Sequence, residues 1–130
     1  MSRELMGMAE FHPGGTVVMD GGSPHNSFAA VFEDDGETGY LYALDTSLGS
    51  NQIIDALHIY DVADVQGREG LWCACLYWSS DGLRVVLEID GKPRAGFDFA
   101  TFSAYSRTRL PASPGKFTHY GWSDDFMGFF

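Results

Sequence analysis

The chain has 130 residues, 45% hydrophobic and 15% aromatic, enough to build one buried core and unlike the composition of a disordered or fibrous chain. Its formal charge of −10 opposes phosphate backbones at long range, so nucleic acid is not an expected partner. The opening Met-Ser-Arg-Glu-Leu lacks a basic segment followed by an apolar stretch, so neither a signal peptide nor a membrane anchor is read there and a cytoplasmic protein is expected.

Residues 1–14 show no clean periodicity and contain Pro13, which predicts an irregular arm on a single domain spanning 1–130. Thr16 to Met19 is the first strand candidate, closed by the turn formers Asp20-Gly21-Gly22-Ser23-Pro24. Ser27 to Glu33 and Gly39 to Asp45 both alternate apolar and other residues, and Asp-Gly lies between them, which predicts a hairpin. Ser50 to Val62 fits two periods: Ile53, Leu57 and Ile59 suit a strand, whereas Ile53, Ala56, Leu57 and Tyr60 suit a helix. The β-branched and aromatic residues favour the strand, and the helical alternative would make the fold α+β.

Leu71 to Trp78 is apolar on both faces and too short for a membrane helix, so it reads as a central strand with Cys73 and Cys75 as reduced core residues. Leu83 to Ile89 and Ala95 to Phe99 follow it across Asp-Gly turns, making a three-strand meander. Beyond Phe99 the pattern weakens, and with Pro111 and Pro114 the chain is expected to wrap the surface without adding strands. Ser123 before Asp124 and Asp125 predicts a capped short helix whose phenylalanines plug one end of the core. The expected class is mainly β: an antiparallel meander of about six or seven strands, curled or sandwich-like, with a short C-terminal helix.

The segments FEDDGETGYLYALD (Phe32 to Asp45), ALHIYDV (Ala56 to Val62) and VVLEIDGKPRAGFDF (Val85 to Phe99) resemble a family of small bacterial proteins classed as a domain of unknown function. The resemblance covers most of residues 28–99 and implies a bacterial β-rich domain. It transfers no activity, substrate or catalytic residue.

Charge is distributed unevenly. From Glu4 to Gly67 there are eleven acids and no Lys or Arg, whereas from Arg68 onward seven acids face seven bases. Glu33, Asp34, Asp35 and Glu37 gather at one predicted hairpin tip, but the spacing around Gly36 does not fit a calcium loop. His58 is expected to share a strand face with Tyr60 and to have Asp55 or Asp61 nearby in a small polar cluster. His12, His25, His58 and His119 are too scattered for a zinc signature, and Arg107 and Arg109 are expected to pair with the acidic half. No nucleophile elbow, phosphate loop or metal motif is present, so no catalytic residue, cofactor or metal is assigned.

These features favour a non-enzymatic acidic module of the immunity-protein or antitoxin kind, binding a basic protein. Glu33, Asp34, Asp35, Glu37, His58, Tyr60 and Asp61 are its candidate contacts. The alternative is a domain for a small ligand or carbohydrate, with Tyr40, Tyr42, Tyr60, Trp72 or Trp78 stacking on it. A small hydrolase using His58 and neighbouring carboxylates is the third reading.

Overall fold

A computed structural model of the protein describes residues 3–67, 69–108 and 115–130. The chain is mainly β, with ten strands in two sheets among these residues. The N-terminal residues are a strand, not an arm: β1 (Arg3–Phe11) pairs antiparallel with β6 (Trp72–Ser79) at the edge of the larger sheet. Two causes hide it in the sequence. Met6 is an extra residue between the paired Leu5 and Gly7, which breaks the alternation, and within this edge strand only Phe11 is buried.

The smaller sheet takes β2 (Val17–Gly22), β3 (Phe28–Asp34), β4 (Thr38–Asp45) and β5 (Ile53–Asp61) in chain order, all antiparallel. The predicted hairpin is β3–β4. Residues 50–62 supply a strand, so the helical alternative and its α+β class are set aside. The larger sheet continues from β6 through β7 (Arg84–Ile89) and β8 (Lys92–Asp98), the predicted meander. Asp90 and Gly91 have φ of 52° and 78°, the paired positive values of a tight hairpin turn whose twist suits the flanking strands.

Past Phe99 the expectation fails, because two more strands follow. β9 (Ser103–Ser106) pairs with β8, and β10 (Thr118–Gly121) lies parallel to β9. Each has four residues, too few to display a period, and the prolines between them suggested only a loop. Those prolines, with Arg109, lie outside the described residues.

The two sheets enclose the core. Trp78, Phe32, Phe97, Leu41, Leu76, Leu87 and Val85 are fully buried, and each such side chain contributes about 1.5–3 kcal/mol by leaving water. Trp78 also ties the sheets together through Nε1, which donates to the Gly21 carbonyl at 3.2 Å. The C-terminal segment begins as expected: Ser123 Oγ accepts the Asp125 N–H at the start of a 3₁₀ turn (Asp124–Phe129). Its phenylalanines do not plug an end of the core. Phe126 lies over Gly96 on the outer side of the larger sheet, where a Cβ would come within 2.4 Å of the Phe126 ring. Bare backbone at Gly96 therefore makes the seat for this ring.

Three surface carboxylates hold turns together. The Asp35 carboxylate accepts the Glu37 and Thr38 N–H groups, Asp45 accepts from Ser47 and Ser27, and Asp81 accepts the Ser79 hydroxyl and the Leu83 N–H. These bonds hold all three below the ordinary value of 3.8. Their contribution is whole above that value and is lost as pH falls through the lower folded values. The melting temperature is therefore expected to drop below about pH 4, and the triple variant D35N/D45N/D81N to show a flatter acid limb in a pH series of thermal melts.

Candidate functional site

The four acids of the β3–β4 tip separate once folded. Glu33 stands on the outer face of the smaller sheet and accepts the Tyr42 hydroxyl at 2.9 Å, while Asp35 and Glu37 are exposed at the turn. Asp34 points inward and is 1% exposed, because alternation along β3 sends Ala30, Phe32 and Asp34 to the core side. It accepts the N–H groups of Gly14 and Gly36, both at 2.8 Å, and the Tyr60 hydroxyl at 2.7 Å. Asp34 is thus an internal brace and takes no part in an exposed acidic tip.

His58 and Tyr60 do not share a face. β4 pairs Tyr40 with His58 and Gly39 with Tyr60, so Ile59 is an extra residue that turns the strand. Ile59 and Tyr60 both become buried, while His58 stays half-buried on the outer side, its ring 6.0 Å from Tyr40. His58 Nε2 donates to Asp61 Oδ1 at 3.0 Å, so the expected polar cluster forms with Asp61 and without Tyr60 or Asp55, which is buried against His119. Burial, then the bond to Asp34, pushes the Tyr60 phenol well above its usual value.

The outer face of the smaller sheet carries two rungs, Val18–Glu33–Tyr40–His58 and Asp20–Val31–Tyr42–Ala56. Tyr40 and Tyr42 stack at 5.8 Å on this face. Burial, and then the bond to Glu33, raises Tyr42 to about 12. Among the described residues, no acid from Glu4 to Asp64 has a Lys or Arg nitrogen within 4 Å. Arg3, Arg84 and Arg107 instead pair with Glu88, Asp81, Asp98 and Asp124. Arg107 therefore departs from its expected pairing with the acidic half.

A cleft of about 470 Å³ opens at the mouth of the sandwich, where the end of β5 faces β6 and β8. Tyr60, Val65, Trp72 and Arg94 line it, with Asp61 and Asp64 among its acids. Arg94 went unread in the sequence, although Pro93 inside a strand is a signal for a bulge. Here β7 pairs Leu87 with Ala95 and Glu88 with Pro93, leaving Arg94 as the extra residue.

The cysteines depart from expectation as well. Ala74, Leu76 and Trp78 take the core side of β6, so Cys73 and Cys75 sit half-buried on the other, free, with sulfurs 3.9 Å apart. Among the described residues no three His, Cys, Asp or Glu side chains converge as a metal set.

Fold and surface together define a two-sheet β domain with an acidic, tyrosine-bearing outer face. The chain belongs to DUF2251, a family described as uncharacterized proteins conserved in bacteria, whose model matches residues 11–130. This range extends beyond the segments that carried the resemblance and leaves most of β1 outside. The chain is also 40% identical over 84 residues to an uncharacterized protein of Haemophilus influenzae. That match covers 65% of this chain and 52% of the relative, so it spans about half the relative's length. No solved structure matches the chain. No helix among the described residues is long and apolar enough to cross a membrane.

Proposed function

We propose that this protein is an acidic interaction module whose smaller sheet docks a basic protein partner on its outer face. The observation behind the reading is the set of acids that, among the described residues, have no Lys or Arg partner around the Tyr40–Tyr42 pair. Asp20, Glu33, Asp35 and Glu37 supply the field that speeds encounter, and the tyrosines supply rigid apolar area with few rotors to fix. An antitoxin-like or immunity-like role is the biological form of this reading.

Affinity capture followed by binding measurements on the recovered partner tests it. The partner should be basic, and its affinity should fall steeply with salt. The double variant D20K/E37K should weaken binding at least tenfold, whereas D124K on the other side should change it little. A partner whose binding ignores both salt and D20K/E37K would end the proposal.

The second reading, a carbohydrate or other small ligand, retains the half-exposed rings of Tyr40, Tyr42 and Trp72 and loses Tyr60 and Trp78 to the core. The hydrolase reading gains nothing from the geometry. His58 Nε2 is engaged by Asp61, and Nδ1 is buried without a hydrogen-bond partner among the described residues, so no nucleophile–base pair is assembled.

A further inference from the structure

Arg94 stands apart from the other arginines that the structure describes. Arg3, Arg84 and Arg107 each have a carboxylate within 4 Å; Arg94 has none, and its guanidinium donates no hydrogen bond to a described residue. The residues outside the described set include no Asp or Glu, so they hold no side-chain carboxylate for it. In a chain with eighteen acids and eight bases, an arginine without a counter-charge goes against the composition. Arg94 is also partly withdrawn from water, which pulls it below its ordinary value, as does Arg107 nearby. Taking a guanidinium out of water without a partner is unfavourable, and the cost is recovered when an anion arrives.

The backbone is arranged to produce this placement. Two β-bulges, one with Ile59 as its extra residue and one with Arg94, turn side chains from opposite sheets toward one cleft. Bulges of this kind re-aim side chains at functional edges. Tyr60 and Arg94 both line this cleft, and Trp72 stands 6.4 Å from the Tyr60 ring as an apolar wall. The volume of about 470 Å³ falls within the size class of small-molecule sites.

We propose that this cleft binds a small organic monocarboxylate, its carboxylate held by the Arg94 guanidinium and its flat apolar body against Trp72. A carboxylate matches the planar donor fork of arginine. Asp61 and Asp64 in the lining disfavour a doubly charged anion such as phosphate, and Trp72 with Val65 rewards an apolar body. His58 and Asp61 line the cleft and also border the outer face of the smaller sheet, whereas Arg94 and Trp72, which would hold the ligand, belong to the larger sheet.

Benzoate, its neutral isostere benzamide and inorganic phosphate are the probes, followed through the Trp72 indole N–H signal by NMR, with Trp72→Phe to assign it. Benzoate should shift that signal saturably, benzamide should bind at least tenfold more weakly, and phosphate should leave it unmoved. Arg94→Met should abolish the benzoate response while raising the melting temperature, since it removes a partly buried charge that has no partner among the described residues. Arg94→Lys should retain weakened binding. Equal binding of benzamide, a response to phosphate but not benzoate, or unchanged benzoate binding in Arg94→Met would each overturn the proposal. A lower melting temperature for Arg94→Met would do the same, by revealing that the guanidinium is already satisfied within the fold.

Discussion

Replacing Asp34 by alanine is expected to destabilise the protein by about 3–5 kcal/mol, lowering its melting temperature by about 15 °C. Three donors converge on this carboxylate: the N–H of Gly14 before β2, the N–H of Gly36 in the hairpin turn, and the hydroxyl of Tyr60 on β5. With the acceptor gone, each donor loses a bond to a charged group. Tyr60 suffers most, because it is 6% exposed and water has little access to replace the bond. Tyr60→Phe removes one of the three bonds and should cost about 1–2 kcal/mol. The double variant should cost less than the sum of the single effects, since both remove the same bond. Thermal or urea melts of the four proteins measure the coupling. Additive losses would mean that Asp34 and Tyr60 stabilise the fold separately. Gly39 belongs to the same unit, because a Cβ there would lie 2.7 Å from the Tyr60 ring.

Legibility in the sequence followed period and length. The β3–β4 hairpin was readable because alternation runs for six or more residues on both sides of an Asp-Gly turn, and the β6–β7–β8 meander because an unbroken apolar run and an alternating β7 are joined by short turns rich in Asp and Gly. β1 was not, because the Met6 bulge resets its alternation; β9 and β10 were not, because four residues carry no period. The candidate contacts were limited by something different. Clustering along the chain brought Glu33, Asp34, Asp35 and Glu37 together, yet strand alternation sends Asp34 to the opposite side from Glu33. The single-residue bulge at Ile59 likewise parts His58 from Tyr60. Bulges arise from pairing between strands, and a period read along one strand does not contain them. Pro93 was the one local hint, and it pointed toward Arg94.

Asp55 is the second acid that the acidic half gives up to the interior, and Asp55→Ala is expected to cost about 3–4 kcal/mol while loosening the C-terminal segment first. Its carboxylate sits on β5 with no exposure; Oδ2 accepts the Phe117 N–H at 2.7 Å and Oδ1 the His119 Nε2 donor at 2.8 Å. Beside it the Lys116 N–H reaches the Ile54 carbonyl at 3.0 Å. The strand of one sheet thereby fastens the chain just before it enters β10 of the other. Removing the carboxylate strands the buried Phe117 N–H and frees His119, so β10 loses the anchor that holds it parallel to β9. Hydrogen exchange should show Thr118–Gly121 losing protection in Asp55→Ala while the β6–β7–β8 amides keep theirs. Asp55→Asn, which retains one acceptor, should fall between the two proteins. Uniform loss of protection over both sheets would mean that Asp55 supports the whole fold and does not latch its last strand. Either outcome leaves the outer face of the smaller sheet charged, because Asp34 and Asp55 are the two buried acids among the eleven and the other nine lie outside the core.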